Sequence, residues 1–96
     1  MDKKESIKKE LEGLITKYKI GDKLTVEDVV MWIVEEDEPD AMKASREYQD
    51  KWMKYFARTK SINELNRVLR IFSDMWNYYP HKSLGGKSPV EMVGFR

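Results

Sequence analysis

Cysteine is absent from this chain of 96 residues, and histidine occurs once, at position 81. Disulfide staples and thiolate metal sites are thereby excluded, and a zinc site has no second imidazole to draw on. A nucleophilic triad needs a positioned second and third group beside His81, and no recognisable arrangement of that kind is spelled out along the chain. A lone histidine that follows a proline is expected to serve as a hydrogen-bonding or capping group. Long apolar runs are missing too: none approaches the ~18 residues of a membrane span. The start, "MDKKESIKKELEG", lacks the apolar centre of a secretory signal. The expectation is a soluble cytoplasmic protein with no membrane partner, no cofactor, no metal and no small-molecule substrate.

What is present is charge and aromatic area. Charged residues make up 36% of the chain and hydrophobic ones 41%, so the three Trp, five Tyr and three Phe must carry much of the core. Each ring buries roughly 150 to 250 Å². At this length folding removes only about 60 to 65% of the surface of the unfolded chain, which suits a single small domain over residues 1–96. The net charge of +1 conceals an asymmetry. Residues 1–38 hold seven Lys against eleven Asp or Glu, whereas residues 39–96 hold eleven Lys or Arg against six acids. Every arginine (46, 58, 67, 70 and 96) lies in the second part, a polarity able to steer a nucleic acid to one end.

Hydrophobic spacing reads as helix throughout. Ile7, Leu11, Leu14, Ile15 and Tyr18 share one face of a helix near 4–18. Gly21 is expected to supply the turn that ends it, and Thr25 with Asp28 forms a capping box for a second helix near 26–36. That helix is apolar nearly all round (Val26, Val29, Val30, Met31, Trp32, Ile33) and is expected to be the most buried element. "EEDEPD" ends it, because acids repel at a helix C-terminus and Pro39 disfavours helical geometry in Glu38. Residues 35–40 are the one candidate hinge, and the acidic run is read as solvated. A third helix near 40–58 carries Ala41, Ala44, Tyr48, Trp52, Tyr55 and Phe56. Ser61 and Glu64 predict a full capping box before Leu65, Val68, Leu69, Phe72, Met75, Trp76 and Tyr79, and the short connection predicts an antiparallel hairpin of these two helices. Pro80 stops the fourth helix. Ser88, Pro89 and Glu91 start a short fifth one. The fold class expected is all-α: a small bundle of four longer helices plus one short C-terminal helix.

The stretch "WNYYPHKSLGGKSPVEM" carries a resemblance. Asn77, Pro80, His81, Ser83, Leu84, Gly85, Gly86, Pro89 and Glu91 match a pattern that is similar to the C-terminal end of the catalytic core of insertion-sequence transposases and retroviral-type integrases. The preceding "SINELNRVLRIFSDMWN" looks like the helix before that pattern, so the likeness spans residues 61–93. Tyr79 stands where the family has a basic residue, Trp76 replaces a tyrosine, and the step from Asn77 to Pro80 is one residue shorter. The family's activity resides in three carboxylates on a sheet-and-helix scaffold, which hold two divalent metals. Glu47 lies near the place of the last one, without partner aspartates. The resemblance thus implies a mobile-element or prophage setting, or reuse of a helix-and-loop staple built on Asn77, Pro80, His81, Leu84, Gly85, Gly86 and Pro89. It implies no nuclease or integrase chemistry.

Two functions follow as expectations. The first is a non-enzymatic interaction module with a protein partner or a second copy of itself. The alternative is a nucleic-acid-binding accessory protein using the basic second half, with contacts from Arg58, Arg67, Arg70, Tyr78, Lys82 and Lys87. Asn63 and Asn66 share the polar side of the fourth helix with Arg67 and Arg70, and Lys87 beside the start of the last helix offers a place for one phosphate. "GGKS" itself is no phosphate loop, since the G-x-x-x-x-G-K spacing and the preceding strand are missing.

Overall fold

The computed structural model of the protein describes residues 3–57, 59 and 61–93. Helix α1, Lys3–Lys17, buries Ile7, Leu11, Leu14 and Ile15 along one face, as the spacing predicts. A Schellman motif ends it. The Ile20 N–H donates to Ile15 O at 3.2 Å and the Lys19 N–H to Thr16 O at 3.1 Å. The left-handed residue this motif requires is Lys19, with φ of 57°, and not the expected Gly21. The two bonds that close the helix place the reversal at Lys19, two residues before the glycine.

Helix α2, Val26–Val34, begins with the expected Thr25/Asp28 box. It is less enclosed than its composition suggests: Val26, Val29 and Ile33 are buried, but Met31 and Val34 are exposed. The helix has only nine residues and meets the core along one side, so its other side becomes a wall facing solvent. Helix α3, Ala41–Met53, is capped by Asp40, whose carboxylate accepts from the N–H groups of Met42 and Lys43, and it runs on into a 3-10 turn, Lys54–Phe56. Ala41, in the first turn, is exposed. Helix α4, Ile62–Tyr78, follows a half box: Ser61 accepts from the Glu64 N–H, while the Glu64 carboxylate reaches across to the Tyr18 hydroxyl and to Lys17 of α1. Helix α5, Pro89–Met92, carries the predicted Ser88/Glu91 box with proline in the first turn. The fold is all-α, with four longer helices and a short one, and the described residues contain no strand.

Helix α4 is the hub because two neighbours use it. Rings bind it to α3: Trp52 stacks on Phe72 at 4.5 Å and the Tyr48 ring lies 4.7 Å from that of Trp76, pairs whose order makes the two helices antiparallel. Helix α1 also runs antiparallel to α4, tied by Tyr18 to Glu64 at one end and by Tyr79 to the Lys4 carbonyl (3.5 Å) at the other. This second neighbour widens the buried stripe to include Ile71, which the spacing argument leaves out.

The Tyr18–Glu64 bond has a measurable signature. Donation to the Glu64 carboxylate, then burial, pushes the Tyr18 phenol up to about 12. A raised folded-state value contributes stability below the unfolded value of about 10 and loses it as pH rises through about 12. Tyr18→Phe is therefore expected to remove the part of the tyrosinate absorbance rise that falls near pH 12. Tyr48, buried with its hydroxyl donated to Phe72 O at 2.7 Å, is held well above the ordinary range by desolvation.

Candidate functional site

The loop between α4 and α5 is built around His81, which is 1% exposed. Its backbone N–H donates to Lys87 O (3.0 Å), and its carbonyl accepts from Leu84 (3.1 Å) and Gly86 (2.9 Å). A 3-10 turn over Lys82–Leu84 leads into Gly85 and Gly86, which have φ of 68° and 84°. These glycines serve the turn through left-handed backbone angles. No close approach requires them, since a Cβ added at either would meet nothing within 4 Å.

The His81 ring is held at both nitrogens. Nε2 lies 2.8 Å from the Trp76 carbonyl oxygen. A carbonyl only accepts, so Nε2 donates. Nδ1 lies 3.2 Å from Oε1 of Glu36, and the ring packs edge-on against Trp76 at 4.4 Å. Oε1 also accepts from the Ser83 hydroxyl (2.9 Å), the other carboxylate oxygen accepts from the Glu38 N–H, and the Glu36 carbonyl accepts from the Ser83 N–H (2.8 Å). Glu36 is thus a clasp residue with an 11% exposed side chain, and not part of a solvated helix end. The candidate hinge 35–40 is bonded through it to the loop 45 residues away. Pro80, Leu84 and Pro89 belong to the clasp region, whereas Asn77 is exposed and lines the groove between α3 and α4 with Gln49 and Ser73.

Histidine, serine and glutamate together invite comparison with a hydrolytic triad, but the order is wrong. In a triad the imidazole stands between acid and hydroxyl and takes the hydroxyl proton. Here Glu36 stands in the middle, Ser83 donates to the carboxylate, and His81 Nε2 is occupied by a carbonyl. The cluster fastens segments and does not activate Ser83. Among the described residues no three or more His, Asp or Glu gather to hold a metal, and no helix is long and apolar enough to cross a membrane.

The candidate nucleic-acid contacts do not form one patch. Arg58 lies outside the described residues. Arg67 is exposed on α4, while the Arg70 guanidinium is held at 2.7 Å by Glu10 and 3.3 Å by Asp74. Tyr78 is half-buried, with the Lys3 ammonium 5.7 Å from the centre of its ring. At a rise of about 1.5 Å per residue it stands roughly 16 Å along the helix from Arg67. Lys82 and Lys87 are exposed on the loop. The phosphate position suggested beside α5 is occupied from within, because the Glu91 carboxylate accepts from the Ser88 N–H at 3.1 Å. That bond, followed by the one from the Ser88 hydroxyl, holds the Glu91 carboxyl below the usual range.

The Arg70 bond likewise lowers Glu10, with burial working against it. A depressed carboxyl contributes stability above its unfolded value and loses it as pH falls through the folded one. Arg70→Ala is expected to remove no more than roughly 1 kcal/mol, since both partners are partly exposed, and to raise the Glu10 carboxyl titration followed by NMR.

Comparison with protein-family models, curated proteins and solved structures returns no match.

Two recesses flank the clasp. On one side lies a cleft of about 350 Å³ lined by Trp32, Tyr48 and Trp76, by Glu35, Asp37 and Glu47, and by Lys51. On the other lies an apolar groove of about 300 Å³ lined by Pro39, Ala41, Leu84, Pro89, Met92 and Val93. Glu36, Glu38 and Trp76 line both, so the two adjoin. Sequence spacing missed Glu36, Ser83 and the cleft. The one available signal was the lone histidine, which when buried needs partners at both nitrogens and had a run of acids to choose from.

Proposed function

We propose that the chain is a non-enzymatic binding module that engages another polypeptide through the face around the Glu36–His81 clasp. The observation that carries this is the exposure of apolar side chains at the two recesses beside the clasp: Met31 (53% exposed) at the cleft, and Met92 (54%) and Val93 (70%) at the groove. Flexible methionine side chains suit a surface that must adapt to a partner. The resemblance of residues 61–93 to transposase cores supports a mobile-element setting for the module and nothing about its chemistry. The nucleic-acid alternative rests on Arg67, Tyr78, Lys82 and Lys87, and it loses Arg70 to two carboxylates.

A peptide-display selection on the immobilised protein, run beside anisotropy titrations of labelled DNA and RNA at about 50 and 200 mM salt, separates the two. Recovered peptides whose binding is lost on Met92→Ser with Val93→Ser support the module. Nucleic-acid binding that falls steeply with salt and with Arg67→Ala, with no peptide recovered, replaces it by the alternative.

A further inference from the structure

We infer that the segment this face accepts is basic and amphipathic, placing apolar side chains in the groove and a lysine or arginine in the adjoining cleft. The inference rests on the binding-module proposal and narrows it to one partner chemistry. The groove alone would take any apolar segment. The adjoining cleft selects by charge: Lys51 lines it, yet no lysine or arginine stands within ion-pair distance of Glu35, Asp37 or Glu47 among the described residues, while Glu38 already has Lys43 at 3.6 Å. Carboxylates without a basic partner beside a groove repel an acidic or phosphorylated segment and favour a cationic one.

The cleft walls point the same way. Trp32 and Trp76 line the same cleft as those carboxylates. The faces of such rings attract cations. The chain itself already uses one of them, since the Lys51 ammonium stands 5.9 Å from the centre of the Trp32 ring. An alkylammonium is therefore accommodated at the cleft, and the remaining volume of about 350 Å³ leaves room for a second long side chain. A lysine or arginine suits that path because its methylenes lie along rings while its head reaches the carboxylates. A helical segment with apolar anchors on one face and basic residues beside them suits an apolar groove that adjoins an acidic cleft.

The test uses three synthetic peptides with the intact isotope-labelled chain: one of leucine and lysine in amphipathic order, one of leucine and glutamate in the same order, and one of serine and lysine. The leucine–lysine peptide is expected to move the indole N–H signals of Trp32 and Trp76 while leaving that of buried Trp52 in place. The other two peptides should bind at least about tenfold more weakly. Asp37→Asn with Glu47→Gln should weaken the leucine–lysine peptide about fivefold to tenfold, as should Met92→Ser with Val93→Ser. All four positions are exposed, so these variants retain the fold. Equal binding of the leucine–glutamate peptide, tight binding of the serine–lysine peptide, or no response at either indole overturns the inference. If display selection still yields binders, the module itself stands and only its charge preference falls. A concentration-dependent mass that Met92→Ser with Val93→Ser abolishes would assign the groove to a second copy of the chain, and overturns it as well.

Discussion

Phe72→Ala is expected to lower the melting temperature by roughly 12 to 40 °C. Phe72 is fully buried at the crossing of α3 and α4, stacked on Trp52 at 4.5 Å and met edge-on by Phe56 at 5.5 Å. Removing a ring from such a place sacrifices its transfer free energy and leaves a cavity, together about 3 to 5 kcal/mol. In a domain of this size each kcal/mol moves the midpoint by roughly 4 to 8 °C. The neighbours cannot close the gap easily, because Tyr48, whose ring centre is 6.3 Å away, is fixed by donating its hydroxyl to the Phe72 carbonyl. The control is Ile62→Ala, at the exposed first position of the same helix. A surface substitution of that kind should stay within about 0.5 kcal/mol. Circular-dichroism melts of the two variants check the pair. A shift of only a few degrees for Phe72→Ala would mean that this crossing is not where the stability resides.

The same helix explains why most of the fold is legible in the sequence. Each long helix must bury one stripe, and a period of about 3.6 residues is a local property that survives without knowledge of neighbours. Caps are local too, which is why Thr25, Ser61 and Ser88 all take their places. The misses concern what lies across space. Ile71 is buried because α1 docks on a second side of α4, and nothing in residues 61–79 announces that neighbour. Met31 and Val34 are exposed because α2 is covered along one side only. Glu64 completes no box because Tyr18 and Lys17 lie within its reach. In the candidate site, His81 and the glycines could be singled out from residues 80–86, but the acid that holds the histidine is one of four consecutive acids, and sequence order does not distinguish it. The cleft and groove arise only once that pairing has brought 35–40 against 80–93.

That pairing yields the second large effect: His81→Ala is expected to destabilise the protein by about 3 kcal/mol. The substitution leaves the nearly buried Glu36 carboxylate without its imidazole and the Trp76 carbonyl without its donor. Breaking a buried ionisable pair from one side commonly costs about 3 to 5 kcal/mol. Two residual bonds to Glu36, from the Ser83 hydroxyl and the Glu38 N–H, place the expectation at the lower end of that range. Glu36→Gln should cost less, because the amide oxygen can still accept from Ser83 and face the ring, and only the bond from the Glu38 N–H is lost to the donor-only NH2 group. A double-mutant cycle with Glu36→Ala isolates the clasp from simple loss of packing: a coupling of about 1 to 3 kcal/mol is expected for residues in one hydrogen-bond network, against nearly additive effects if His81 merely fills space beside Trp76. Hydrogen exchange distinguishes local from global consequences. The amides of His81, Ser83 and Gly86 donate within the loop or to Glu36. They should lose protection in His81→Ala at denaturant concentrations where the α1 and α4 amides keep theirs. Loss at all these sites together would make the clasp part of the core's single cooperative unit. The proposed binding face would then be unable to open without unfolding the helices beneath it.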